Sequence, residues 1–356
     1  MKQLRDAIAY RNIPGPPFSG MALARRFPAE GKSLSNVLRA AGPFVPTRDS
    51  YIFSNAGQAI TLEDARILRE HFQSYIDGVS DIGIDLLRAS LRAYTFSVPI
   101  LGATGLPGVA VDFVIDKVSE DLRNRIVDSI VASIPGHYGR CVGLAFSAYD
   151  FFLAGWPIPS DTTPPGSGPL RDYIWDRLID SLVANGAVFL EWTMVLHILP
   201  VISKLASAAL GAAAGSVIGG PIGAALGAAL AGGGDVLGAG GADALLDKTR
   251  EHWPRIKQHL DEGAAWPIGI IHGSNSSPVD QHQILAIGYS DRGDGTGTLT
   301  VWDNNWPHEK HDVNFDMRGG ELNVSSTDSY HDMNDTKGII CEEYSVKTPP
   351  ESTHRA

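Results

Sequence analysis

The sequence predicts an α+β fold in which helices come first and an antiparallel sheet follows. Three observations carry that expectation. Apolar residues recur at helical spacing along Val109–Ile134, Arg171–Asn185 and Ala244–Leu260. Later stretches, Trp266–His272, Gln281–Tyr289 and Gly297–Asp303, read as strands, and S-D-R-G-D-G-T between the last two is a strong hairpin turn. The composition suits a folded chain: of 356 residues 44% are hydrophobic and 19% charged, enough for a full core and more than one structural unit.

Taken in order, residues 1–60 are poorly patterned, with loop signals at I-P-G-P-P-F-S-G and Gly42-Pro43. Thr61 and Asp64 resemble a capping box that opens a helix carrying Ile67, Leu68, Phe72, Tyr75, Ile76 and Val79 on one face. Ile84–Arg92 reads as another helix, whereas Ser97–Gly108 is apolar but interrupted by Pro99 and Pro107. The stripe Val111, Ile115, Val118, Leu122, Ile126 and Ile130 makes Val109–Ile134 a long amphipathic helix. Trp156–Leu170 is a proline-rich loop. Leu205–Gly234 holds no charged residue, and Ser207, Gly211, Gly215, Gly219, Gly223, Gly227 and Ala231 recur every fourth position. That register resembles a glycine zipper and admits two readings: lipid insertion, or a close-packed hairpin turning at Gly219-Gly220-Pro221. The expected organisation is a helical N-terminal region at 1–108, a main domain at 109–347 interrupted by a Gly/Ala-rich insertion at 193–243, and a disordered tail at 348–356. Residues 325–337 read as a polar loop.

The chemistry concentrates at Pro135–Phe152. Gly136 and Gly139 allow a sharp turn, and Cys141 follows at the first turn of an apolar helix. Unpaired amides and the positive end of the helix dipole there favour a thiolate over a thiol. A sulfur nucleophile needs a histidine and a group to orient it. Pairing about a turn near Arg292 and Gly293 sets His282 opposite Asp303; a slip of two residues keeps both on one face, and a slip of one does not. Asn304 and Asn305 are alternative orienters. The other cysteine, Cys341, reads as a buried strand thiol, and two cysteines make no disulfide framework. His272 reads as a strand-end residue.

The run G-R-C-V-G-L-A-F-S-A-Y-D, then H-Q-I-L-A-I-G-Y, then V-W-D-N-N-W-P, in that order, resembles the papain-like cysteine peptidases, closest to the bacterial branch similar to bacteriocin-processing peptidases. The resemblance implies a helical half bearing Cys141 as nucleophile and a sheet half bearing His282 as general base and acid, with Asp303 holding the imidazole tautomer. The matching segments cover about a tenth of the chain. One departure stands out: the family's oxyanion glutamine, six residues before the cysteine, falls here on Pro135, which has no donor. The Cys141 backbone amide then needs a second donor, from His137, Tyr138 or Gln281.

The implied activity is amide hydrolysis of a peptide or protein through an acyl-enzyme, with no cofactor. The same triad would serve transglutaminase-like acyl transfer or deamidation, and Leu205–Gly234 leaves a membrane-associating toxin or anchor as a different class of function. The formal charge of −11 argues against nucleic acid as partner. His308-Glu309-Lys310-His311 lacks the spacing of a zinc helix, so no metal is expected. No apolar signal segment is visible in M-K-Q-L-R-D-A-I-A-Y-R-N, which leaves the cytoplasm or a membrane surface as the expected location.

Overall fold

The computed structural model describes residues 42–55, 63, 64, 66, 67, 140–193, 196, 241–274, 281–326 and 330–354. The chain falls into two units: Met1–Leu23 with Leu68–Ala132 and Met194–Gly241, and Ala24–Ile67 with Ser133–Thr193 and Ala242–Ala356. Nearly all described residues belong to the second unit, which is α+β. Most of the helix expected from Thr61, the helices at 84–92 and 109–134, the 97–108 stretch and the glycine-studded 205–234 segment lie outside the described residues, as do His137 and Tyr138. Among the described residues, no helix is long and apolar enough to cross a membrane.

A short helix α1 (Pro46–Asp49) precedes the central helix α2 (Cys141–Ala154). Every residue of α2 from Cys141 to Leu153 is buried, as its all-round apolar sequence requires. Gly155, at φ +67°, ends it in the left-handed conformation that glycine tolerates. Helix α3 (Pro169–Thr193) extends past both ends of the predicted segment and packs along α2. Their backbones meet at Gly143, where a Cβ would stand 2.3 Å from the Ile174 carbonyl oxygen, so only glycine permits the approach. Helix α4 (Gly241–Asp261) follows.

Six strands form one sheet: β1 (Trp266–His272), β2 (His282–Asp291), β3 (Thr296–Trp302), β4 (His311–Asp316), β5 (Asn323–Ser326) and β6 (Thr336–Cys341), in the order β5-β4-β3-β2-β1-β6. Each neighbouring pair whose register is defined is antiparallel. β4 and β5 extend the predicted sheet, and part of the expected 325–337 loop is strand. Helix α2 lies against β2 and β1. Phe44, Tyr51 and Phe53, from the poorly patterned N-terminal stretch, join α2 in the core. The C-terminal stretch, expected to be a disordered tail from residue 348, ends in a 3₁₀ turn at Glu351–His354 with Thr353 buried.

The β2–β3 hairpin departs from the expected register. The loop Arg292–Gly295 has Gly293 and Gly295 at φ +77° and +87°. Asp291 and Asp294 brace it by accepting the N–H groups of Gly293 and Thr296 at 2.8 and 2.9 Å. Pairs run from Asp291↔Gly297 to Gly288↔Thr300, shift at a bulge on Ile287, and resume at Ala286↔Val301 and Leu285↔Trp302. Continued past Trp302, this register sets His282 against Asn305, two residues on from the predicted Asp303. A slip of two preserves the face. Without the bulge the slip would be odd, and Asp303 would turn away from His282.

Candidate active site

The site is assembled where the start of α2 meets the start of β2 and the turn after β3. Arg140 is the N-cap of α2, and no side chain caps it, so the first-turn amides and the dipole face the site around Cys141. Four hydrogen bonds knit the segments together. The Arg140 N–H donates to Asn55 Oδ1 at 2.8 Å. The Asn55 N–H donates to the Asn304 carbonyl at 2.8 Å. Asn304 Nδ2 is shared between the carbonyls of Cys141 and Gln283, 2.9 Å from each. Asn304 therefore joins the Cys-bearing helix to the His-bearing strand and does not orient the imidazole.

His282 Nε2 lies 2.8 Å from Asp303 Oδ1, which leaves Nδ1 as the nitrogen free to exchange a proton with sulfur. Burial alone would depress the His282 pKa. The charge and hydrogen bond of Asp303, followed by the hydrogen bond and charge of Cys141, outweigh it and hold the imidazole well above its ordinary value. Asp303 is fully buried. Burial would raise its pKa, but the paired His282, the Asn305 N–H and the Tyr330 hydroxyl hold it below the ordinary carboxylate value. The last two donate to Oδ1 and Oδ2, each at 2.7 Å. Asn305 Nδ2 stands 3.4 Å from His282 Nε2, a weaker contact than the carboxylate makes. Behind Asp303, Tyr330 stacks on His311 at 4.2 Å and meets Trp306 edge-on, so the hydroxyl that steadies Asp303 is itself set by packing.

The structure thus brings Cys141, His282 and Asp303 together. Gln281, predicted as an oxyanion donor, faces elsewhere: its Oε1 accepts the His272 N–H at 2.7 Å, tying the start of β2 to the end of β1. The residue at the sulfur is its neighbour Gln283, whose Oε1 lies 2.6 Å from Cys141 Sγ. Sequence reasoning missed Gln283 because alternation sets it on the face opposite His282. It missed Tyr330 because the residue stands alone in a polar stretch. Cys341 is buried in β6, where burial pushes its thiol up to about 11.

A carboxylate-held imidazole facing a thiol at a helix start can take a proton from sulfur and return it to a leaving group. Among the described residues no group of side chains is arranged to hold a metal ion. No family model, curated protein or solved structure matches the chain.

Proposed function

We propose that this unit is a papain-like thiol hydrolase acting on amide bonds of a peptide or protein. The observation that carries the reading is the His282 ring, held by Asp303 on one side and facing the Cys141 sulfur on the other, at the start of a buried helix. In the proposed reaction the Cys141 thiolate attacks the carbonyl carbon. A C–S bond forms, and the carbonyl π pair moves onto oxygen. His282 then protonates the leaving nitrogen as the C–N bond breaks. Water, losing its proton to His282, next attacks the thioester, and expulsion of the thiolate releases the acid. The Cys141 N–H and the Gln283 side-chain amide, turned so that Nε2 faces the developing charge, supply the two oxyanion donors in place of the donor missing at Pro135.

Thiol alkylation tests the reading without a known substrate. Iodoacetamide at pH 6 is expected to modify Cys141 and leave Cys341 untouched, with mass mapping as readout. His282→Ala should slow the Cys141 reaction by about 10²-fold, since an unassisted thiol is under about 1% ionised there. Equal labelling with and without His282 would sink the proposal. Gln283→Ala should lower kcat for any substrate found in a peptide screen by about 10²–10³, the usual cost of one oxyanion donor. It should leave the iodoacetamide rate within a few-fold, because alkylation develops no oxyanion; loss of both together would assign Gln283 to the thiol instead.

A further inference from the structure

A second feature beside Cys141 is unexplained by the triad. Phe53, Leu144, Pro164, Pro165 and Ile174, with Ser54 and Asn55, wall a small notch open to solvent, and Arg140 also lines it. Arg140 is only 8% exposed. Among the described residues its side chain makes a hydrogen bond from Nη1 to the Pro165 carbonyl at 3.2 Å, and no carboxylate of those residues lies within ion-pair distance of it. Asp64, whose charge reaches Arg140, is bonded to Arg171. Asp64 is thus engaged by Arg171, which also lies 3.6 Å from Asp172, and it reaches Arg140 only through its charge. Burial first, and then the charge of Arg171, pull the Arg140 pKa below its ordinary value against the opposing pull of Asp64, as expected for a cation short of counter-charge.

A buried guanidinium in apolar walls is costly unless something anionic completes it. Its planar fork matches a carboxylate through paired N–H bonds. The Arg140 N–H is fixed by Asn55, so Arg140 is anchored at the same helix start that carries the sulfur of the next residue in sequence. Leu144 continues the wall a helical turn further on, where it would meet the methylene groups of the same side chain.

We infer that this pocket is a carboxylate subsite, in which Arg140 selects substrates bearing an acidic group next to the bond that Cys141 attacks. The inference rests on the thiol-hydrolase reading and names its substrate class. A glutamate or aspartate side chain and a free C-terminal carboxylate offer the same chemistry, and the test separates them.

The full-length chain is labelled with iodoacetamide at pH 6 in the presence of three short peptides. Acetyl-Ala-Glu-amide has only a side-chain carboxylate, acetyl-Ala-Ala only a terminal one, and acetyl-Ala-Gln-amide neither. One acidic peptide is expected to slow Cys141 labelling about tenfold at a concentration where the neutral peptide has no effect, and which one does so identifies the source. Arg140→Gln should abolish that difference, each variant being referred to its own rate without peptide. Arg140→Lys, which keeps the charge but loses the fork, should retain part of it. Equal protection by neutral and acidic peptides, or no protection by any, overturns the inference even if Arg140→Gln fails to fold, and so does discrimination that survives Arg140→Gln. Failure of the underlying reading has another signature: Cys141 labelling that does not depend on His282.

Discussion

Asp303→Asn is expected to lower kcat by about 10⁴-fold, the loss seen when the orienting carboxylate of a Ser-His-Asp triad becomes an amide. The cause lies in the tautomer. Asp303 Oδ1 accepts the proton of His282 Nε2 across 2.8 Å, which keeps Nδ1 available to the sulfur. An amide at 303 presents a donor as well as an acceptor, and Asn305 Nδ2, already 3.4 Å from Nε2, adds a second donor. Both favour an unprotonated Nε2, leaving the proton on the nitrogen that must accept one. The Asp303→Asn protein should fold, because with Nδ2 turned toward His282 the amide oxygen still accepts the Tyr330 hydroxyl, and the Asn305 N–H is the one donor left without its acceptor. Tyr330→Phe removes only the hydroxyl on Oδ2 and should cost much less, within about tenfold. Steady-state kinetics of the two variants give the comparison; a Tyr330→Phe loss as large as that of Asp303→Asn would mean that Tyr330 acts on more than the carboxylate.

The same pair makes a pH statement whose sign is fixed. His282 has its folded pKa raised, so its contribution to stability is full below the unfolded value and is lost as pH rises through the folded one. Asp303 has its folded pKa lowered, so its contribution is present above the unfolded value and is lost as pH falls through the folded one. With unfolded values of about 6.5 and 3.9, the stability difference between the native chain and Asp303→Asn should be greatest between about pH 4 and 6.5. It should shrink on both sides of that window. Urea unfolding at several pH values measures it, and a difference that grows steadily above pH 7 would contradict the pairing.

How much of this was legible in the sequence depends on the kind of information. The helix start at Cys141 was legible, because Gly136, Gly139 and an unbroken apolar run are local signals. So was the shared face of His282 and Asp303, because a period of two survives a slip of two. The register was not: it depends on an extra residue at Ile287, and the only local hint of a bulge is Gly288 beside it. Gln283 was hidden because alternation describes where a Cβ points, and a glutamine side chain is long enough to escape that constraint. β4 carries Val313 and Phe315 on its buried side, but the third residue of that face is His311, a polar type that masks the alternation. The role of residues 50–55 was the least legible. Asn55 reaches the site through contacts with residues 85 or more positions away in sequence, and no local pattern marks such a residue.

The other large effect concerns what holds the Cys141 helix in place. Asp150, one of the polar residues within the apolar body of α2, is fully buried, and Arg177 on α3 is 1% exposed. Arg177 Nε lies 2.7 Å from Asp150 Oδ2. The carboxylate also accepts the hydroxyls of Tyr173 at 2.7 Å and Tyr344 at 2.6 Å, and the Lys347 N–H at 2.9 Å. Arg177 Nη2 in turn donates to the Ser345 carbonyl at 2.7 Å. One carboxylate thus fastens α2, α3 and the chain after β6. Asp150→Ala leaves Arg177 Nε and three donors short of an acceptor, while Nη1 keeps the partly exposed Asp180 at 2.7 Å, so it should cost about 3 kcal/mol, equivalent to a fall in Tm of about 10 °C for a unit of this size. Asp150→Leu combined with Arg177→Met should recover part of that loss, because replacing both residues removes the buried guanidinium that has lost its buried partner. Losses that simply add would show that the two residues are not coupled. Hydrogen exchange should locate the damage: in Asp150→Ala, amides from Tyr344 onward should lose protection first, since their anchor is gone. Cys141 labelling should slow as well, because the sulfur keeps its place opposite His282 only while the rest of α2 is held down.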